Sequence, residues 1–322
     1  MVASLRSTSL LLAALVVALA GCNPAAPAMN DAGGGDSGPV MTACPTAMVP
    51  DFMNQMGPCC YRTSQATHLA MPSLRLRYLN LRAPAGSALV APIVQGLLNG
   101  SLQTEVFNWL VQGMGTAGDG AITIRTGFGT RNMATGTYAF STMARYAPVT
   151  LNGTIMSETV TTQPDTGTLI VPVFDMTGTV LQVELQLHNV QVVTSPFTEM
   201  RSCIGAARAR DFTTPATLSG YLTVADTRTT MINVSTVHAQ LCTLIASPNL
   251  TEPMSGPYCD QPQATWMVPP DSLCMTTGTT GACVHNNPAS PVCRPDGTGA
   301  LPACNAWQLV SDFAAVGVTI TP

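Results

Sequence analysis

Residues 180–193 read VLQVELQLHNVQVV and form the longest alternating stretch of the chain. Four apolar residues share one parity, with polar residues between them: Leu181, Val183, Leu185 and Leu187. This alternation predicts a half-buried β-strand. After Asn189 the apolar residues change parity, at Val190 and Val192. Because one extra residue exchanges the two faces of a strand, the change predicts a β-bulge at Asn189.

Shorter segments of the same kind recur along the chain, and turn residues separate nearly all of them. They cover residues 74–81, 121–125, 137–140, 149–155, 169–174, 217–224 and 231–237. Repeated short strands are typical of antiparallel sheets. The sequence therefore predicts a mainly β fold, an antiparallel β-sandwich or barrel-like sheet, in a β-rich domain over residues 44–247.

One segment has helical rather than alternating spacing. Between residues 87 and 112 apolar residues recur every three or four positions, which is typical of an amphipathic helix. Ser87 and Ser101 are predicted N-caps, and Gly100 is predicted to divide the segment into two short helices. We expect this pair to cover one end of the sheet. The alternative is a lid over an apolar cavity.

The composition changes near the C-terminus. Residues 248–305 are rich in Pro and Cys and contain few apolar runs, which predicts an irregular, disulfide-rich subdomain. In residues 306–322 an apolar pattern returns, with Val316, Val318 and Ile320 alternating. We expect this last segment to be a strand that rejoins the main sheet.

The N-terminus has the features of an export signal. Arg6 is followed by eleven apolar or small residues, 10–20, and then by Gly21 and Cys22. A run of this length is too short for a membrane span, which needs about 20 apolar residues, and it predicts a removable signal peptide over 1–21. Residues 22–43 are rich in Pro, Ala and Gly and predict a flexible linker.

The ending Leu19-Ala20-Gly21-Cys22 resembles the lipobox of bacterial lipoproteins. The resemblance implies that Cys22 is the lipid attachment site and the first mature residue. It also implies a membrane partner, because more than one acyl chain gives stable anchoring. In such lipoproteins Asp after the Cys can retain the protein at the inner membrane. Asn23 stands there, so we expect a cell-envelope protein anchored in the outer membrane, facing either the periplasm or the outside.

The chain has eleven cysteines, and removing Cys22 leaves an even number. We expect disulfides among the remaining ones: Cys44, Cys59, Cys60, Cys203, Cys242, Cys259, Cys274, Cys283, Cys293 and Cys304. The sequence does not choose the connectivity. If Cys203 paired with Cys242, parity would require a bridge between the N-terminal and C-terminal groups. The spacings lack the Cys-x-x-Cys pair of zinc sites, so we expect no metal.

Composition excludes several kinds of chemistry. All 13 basic residues are Arg, which excludes a Schiff-base lysine, a Ser-Lys dyad and a phosphate-loop lysine. The net charge of −4, without a basic cluster, disfavours nucleic acid as a partner. Residues 113–118 match the dinucleotide fingerprint, but a helix is expected before them and a strand after them. We therefore expect no cofactor.

The histidines, His68, His188, His238 and His285, show no metal-ligand or catalytic spacing. His188 lies on the polar parity of the long strand, where a solvated side chain is expected. No catalytic residue is therefore assigned.

We consider three functions. The leading hypothesis is a non-enzymatic envelope lipoprotein, a structural or binding module for a protein or a glycan. The second is a carrier of a hydrophobic ligand, for which the 17 methionines would suit varied apolar ligands. An enclosed apolar cavity would favour it. The third is a hydrolase assembled from distant residues, which would need a pocket with Ser or Asp beside a histidine.

Overall fold

The structure is a computed structural model that describes residues 69–87, 92–165, 167–174, 178, 181–198, 201, 203–204, 215–234, 237–247, 258–275 and 282–322. It is mainly β, which confirms the predicted fold class. The strands are β1 (Ser73–Ala83), β2 (Asn108–Gly115), β3 (Gly120–Arg131), β4 (Tyr138–Phe140), β5 (Val149–Met156), β6 (Thr159–Thr162), β7 (Thr168–Phe174), β8 (Leu181–Thr198), β9 (Cys203–Ile204), β10 (Ala216–Thr223), β11 (Met231–Val234), β12 (Val237–Gln240), β13 (Ser272–Cys274), β14 (Cys283–His285), β15 (Ala306–Gly317) and β16 (Ile320–Thr321).

Short helical segments connect some of these strands. The α-helices are α1 (Pro92–Gln103), α2 (Val224–Thr229) and α3 (Leu241–Ala246), and 3₁₀ turns lie at Ala144–Tyr146, Tyr258–Asp260 and Gln263–Thr265. Within the described ranges, no helix is both long and apolar enough to cross a membrane.

The main sheet follows a closed path. Its strands pair in the order β1, β2, β3, β5, β6, β8, β10 and β15, and β15 pairs back with β1. Every pairing on this path is antiparallel. One cluster of buried apolar side chains draws on all eight strands, including Leu76, Ile124 and Leu309. The closed path corresponds to the barrel-like alternative of the sequence prediction.

The long strand β8 contains the predicted bulge. His188 pairs with Tyr221 and Gln191 with Ser219, so three steps along β8 oppose two along β10. Asn189 has a left-handed φ of 47°, a conformation that Asn tolerates better than most residues. The Asn189 side chain donates to the carbonyl of Asp165 at 2.6 Å. The prediction of a bulge at this residue is confirmed.

This segment contains one helix, α1, where two were predicted. Helix α1 runs through Gly100 without a break, and the Ser101 Oγ donates to the carbonyl of Phe174, so Ser101 is not an N-cap. Glu105 has a left-handed φ of 62°, and strand β2 begins at Asn108. The predicted second helix is therefore wrong. Residues 88–91, just after the predicted cap Ser87, lie outside the described residues.

Residues 109–111, which were predicted to be helical, are apolar at three successive positions. Such a run fits a buried strand as well as a buried helix. Trp109 and Val111 join the main core cluster, while Leu110 lies between them in a second cluster with Tyr138 and Phe140. A strand buried on both faces is apolar at successive positions, which spacing alone does not separate from a buried helix. These residues pair with β3 in an antiparallel ladder and therefore form a strand.

Helix α1 completes the hydrogen bonding of β1 with two side chains. Asn99 accepts from the backbone N–H of Leu79 at 2.9 Å and donates to its carbonyl at 2.9 Å. Gln95, one turn earlier, makes the same two bonds to Leu81 at 3.2 and 2.8 Å. The two amides thereby replace a neighbouring strand along this part of β1, since each satisfies one backbone N–H and one C=O.

The C-terminal region is pinned by three disulfides: Cys242–Cys259, Cys274–Cys283 and Cys293–Cys304. Cys203 is also disulfide-bonded. Because Cys242 bonds to Cys259, the condition that Cys203 pairs with Cys242 is not met, and the parity inference that depended on it does not apply. The N-terminal Cys22, Cys44, Cys59 and Cys60 lie outside the described residues.

Candidate functional site

A polar cleft lies over the first half of β8, and we name it the β8 cleft. Its volume is about 230 Å³. Its lining residues come from β8, from the 3₁₀ turn before β5, and from the end of α2 with the chain that follows it: Arg145, Leu181, Gln182, Val183, Glu184, Gln186, Thr229, Thr230, Met231 and Asn233. The strand supplies three of its polar side chains at alternate positions, because Gln182, Glu184 and Gln186 share one face.

Glu184 anchors one wall of the β8 cleft. Its carboxylate accepts hydrogen bonds from the guanidinium of Arg145 and from the hydroxyl of Tyr146. Partial burial opposes ionisation of Glu184, but the hydrogen bonds from Arg145 and Tyr146 and the charge of Arg145 outweigh it, and the net pKa is lowered. The carboxylate is therefore charged at neutral pH and holds Arg145 and Tyr146 in place.

The two glutamines beside Glu184 leave their amides available. Within the described part of the chain, neither Gln182 nor Gln186 has a side-chain hydrogen bond to protein. Each amide offers two N–H donors and one carbonyl acceptor. The β8 cleft thus presents groups that can both donate and accept hydrogen bonds around a fixed ion pair.

A second cleft lies between the end of α1 and the end of β3, and we name it the α1–β3 cleft. Its volume is about 410 Å³. It is lined by Gln103, Thr104, Glu105, Val106, Asn108, Gly129, Thr130, Arg131 and Met133. Both clefts open to solvent, in contrast to the packed apolar core beneath the strands.

Glu105 lies in the wall of the α1–β3 cleft and contacts two guanidinium groups. Arg131 Nη1 is 2.6 Å from Glu105 Oε2, and Arg75 Nη2 is 3.5 Å from Glu105 Oε1. The guanidinium carbons of Arg75 and Arg131 lie 5.8 and 6.0 Å from the ring centre of the buried Tyr138. One carboxylate therefore serves two cations around one aromatic ring.

The structure brings His188 to an acidic partner. His188 Nε2 lies 2.7 Å from Asp226 Oδ2, and its Nδ1 lies 3.1 Å from Thr168 Oγ1. The prediction that the His188 side chain is solvated is wrong, because only 27% of it is exposed. The spacing of the two residues, 38 positions apart, gave no signal of this contact.

A second histidine also has polar neighbours. His285 Nδ1 lies 3.4 Å from Ser272 Oγ and 3.8 Å from Asp271 Oδ1. Neither His188 nor His285 lines the β8 cleft or the α1–β3 cleft. His68 and the side chain of His238 lie outside what the structure describes. Histidine therefore lies beside acidic and hydroxyl side chains, the residue types that hydrolases use, at His188 and at His285. Neither histidine is in the lining of either cleft.

Gly113 and Gly115 lie in β2, which turns directly into β3, so the fingerprint-like residues 113–118 connect two strands and do not lead to a helix N-terminus. Among the described residues, no group of three His, Cys, Asp or Glu side chains is placed to hold a metal ion.

The chain was also compared with known proteins. No protein-family model, curated protein or solved structure matches it.

Proposed function

We propose that this protein is a lipoprotein of the cell envelope, lipid-anchored in the outer membrane through Cys22, whose β domain is a non-enzymatic binding module for a glycan. The residues that line the β8 cleft support the proposal that the ligand is a glycan. The residues that resemble a lipobox, 19–22, support the anchor. The disulfides support maturation in an oxidising compartment.

The groups of the β8 cleft match the chemistry of a sugar. Three amides, a carboxylate, a guanidinium and threonine hydroxyls surround it, and all of these exchange hydrogen bonds with hydroxyl groups. The ion pair of Glu184 and Arg145 fixes part of this surface in advance, which lowers the entropy cost of ordering it around a ligand. A cleft of about 230 Å³ suits one sugar unit of a longer chain.

A glycan accounts for the cleft better than the other partners considered. A protein partner would need a larger patch with an apolar centre, whereas polar groups dominate this lining. A hydrophobic ligand would need an enclosed apolar cavity, whereas Leu98 and Leu102 of α1 belong to the main core cluster. A hydrolase would need its histidine in a cleft, and His188 lies outside both.

Calorimetric titration of the full chain with neutral oligosaccharides of glucose, galactose and N-acetylglucosamine tests the proposed ligand class. We expect one of these probes to bind, and Gln182→Ala or Gln186→Ala to weaken binding by about tenfold, the value of one or two lost hydrogen bonds. Gln191→Ala is the matched control, since Gln191 lies on the same strand outside the cleft. No binding of any probe, or equal losses in all three variants, would overturn the proposal.

A further inference from the structure

We infer that the α1–β3 cleft is a second binding site, for a small hydroxylated carboxylic acid such as a sugar acid, with the carboxylate on Arg131. This site is separate from the β8 cleft and does not depend on the function proposed for it. The inference starts from the position of Arg131. The residue ends β3 at the rim of a cleft of about 410 Å³, and 17% of its side chain is exposed.

The protein satisfies only some of the hydrogen-bond donors of Arg131. Its Nη1 donates to Glu105, but its Nε is buried and has no hydrogen-bond partner in the described part of the chain. Burying a charged donor without a partner costs free energy, so a site that leaves one suggests a missing acceptor. A carboxylate can accept two parallel hydrogen bonds from one guanidinium.

The carboxylate of Glu105 is shared between Arg131 and a second guanidinium group. Glu105 also faces Arg75, at 3.5 Å, and its side chain is only 9% exposed, so one carboxylate is shared between two guanidinium groups. Two cations of like charge repel each other at short range in a poorly solvated site. An anion entering the cleft would relieve that repulsion.

The backbone around Glu105 is held in an unusual conformation. Its φ is 62°, a left-handed value that is costly for a residue with a side chain. The Asn108 side chain fixes this turn by donating to the carbonyl of Glu105 at 2.7 Å. Such strained turns cluster at binding sites, and this one directs the carboxylate towards Arg131.

The rest of the cleft suits a hydroxylated ligand. Gln103 and Thr130 contribute an amide and an exposed hydroxyl to its lining. Val106 and Met133 contribute apolar surface, against which the carbon face of a sugar ring can pack. A single carboxylate with several hydroxyls fits this combination of Arg131, whose counter-ion Glu105 is shared with Arg75, and neutral polar groups.

Titration of the full chain with galacturonate, glucuronate and gluconate tests the site, with neutral galactose as the uncharged comparison. We expect at least one acid to bind, about tenfold or more tighter than galactose, because hydrogen bonds to charged groups are the stronger ones. Arg131→Gln should weaken acid binding by about tenfold or more. Arg125→Gln, on the same strand but stacked on Phe140 away from the cleft, should leave it unchanged.

Glu105→Gln separates a binding role from a folding role. This variant removes the competing negative charge and should tighten acid binding, a direction that partial unfolding would not produce. Failure of all three acids to bind would overturn the inference. Equal losses in Arg131→Gln and Arg125→Gln, or weaker binding by Glu105→Gln, would overturn it too. Loss of oligosaccharide binding at the β8 cleft would leave these results unaffected.

Discussion

His188 Nε2 lies 2.7 Å from Asp226 Oδ2, and this contact ties the polar face of β8 to the first turn of α2. Asp226 is held from its own helix as well. The Thr223 hydroxyl donates to the same carboxylate oxygen and accepts from the backbone N–H of Asp226 at 3.1 Å. The contact therefore combines a helix cap with a link between two elements distant in sequence.

We predict that Asp226→Asn lowers the free energy of unfolding by about 1–2 kcal/mol at pH 7, since it weakens a charge-assisted hydrogen bond and the cap. The hydrogen bond from His188 lowers the pKa of Asp226, against the opposing effect of burial. A carboxyl with a lowered folded pKa stabilises fully above its unfolded pKa, about 3.9, and loses that effect as the pH falls through the folded value.

The difference between wild type and Asp226→Asn should therefore shrink when urea unfolding is repeated near pH 3. Asp260→Asn is the control, because Asp260 is exposed in its 3₁₀ turn. A difference that grows as the pH falls would contradict the assignment of this carboxylate as the stabilising ion.

Arg201 is a buried cation with a full set of partners. Its guanidinium contacts Glu158 and donates to the carbonyls of Leu69, Thr116 and Gly118, and its side chain is 0% exposed. We predict that Arg201→Met destabilises the fold by about 3–5 kcal/mol, because five hydrogen bonds from one buried guanidinium are lost.

Chemical denaturation compares this loss with that of Arg82→Met. The Arg82 side chain is 49% exposed, and its ion pair with Asp312 is a surface contact worth about 1 kcal/mol or less. Similar losses in the two variants would show that burial of Arg201 contributes little.

Two glycines should respond to alanine in opposite directions. A Cβ on Gly129 would lie 2.3 Å from Leu110 Cδ1 and 2.5 Å from the carbonyl oxygen of Ala139, both too close without movement of β2 or β4. Gly96 lies within α1 and has open space where its Cβ would be. We predict that Gly129→Ala lowers the melting temperature, while Gly96→Ala stabilises by about 0.5–1 kcal/mol. Thermal melts followed by circular dichroism measure both, and a stabilising Gly129→Ala would contradict the described packing.

The bond between Cys242 and Cys259 should be detectable and stabilising. Both residues are 0% exposed, and the bond closes a loop with a sequence separation of 17. We predict that the double variant Cys242→Ala, Cys259→Ala loses about 3 kcal/mol in the chain-entropy model. Peptide mapping under non-reducing conditions checks the connectivity, and a peptide linking Cys203 to Cys242 would refute it.

The membrane anchor is tested by fractionation of cells. We predict that Cys22→Ala moves the protein from the membrane to the soluble fraction, because acylation at Cys22 supplies the proposed attachment. Asn23→Asp should leave it membrane-bound but transfer it to the inner membrane, as the lipoprotein resemblance implies. A Cys22→Ala protein that remains firmly bound to membranes would exclude the lipid anchor.

Strand periodicity carried most of the fold prediction. Residues 149–155 alternate and correspond to β5, because one face of that strand is buried and the other is not. Residues 74–81 also alternate and correspond to β1, but Arg75 and Arg77 on its polar face are buried as well, which the alternation did not predict. The bulge at Asn189 could be predicted from the sequence, because the apolar residues of the strand change parity at that position. The strand β2 was missed because it is buried on both faces and its apolar run has no period of two.

The sequence by itself determined the β class, the place of the bulge and the expectation of disulfides, since each depends on neighbouring residues or on a count. Only the tertiary structure decided the disulfide partner of Cys242, the contact of His188 with Asp226 and the meeting of Arg75, Glu105 and Arg131. These contacts join residues from different elements, and strand order and register set which side chains meet. Local periodicity fixes which face of a strand is buried, but it does not specify which strand lies beside it.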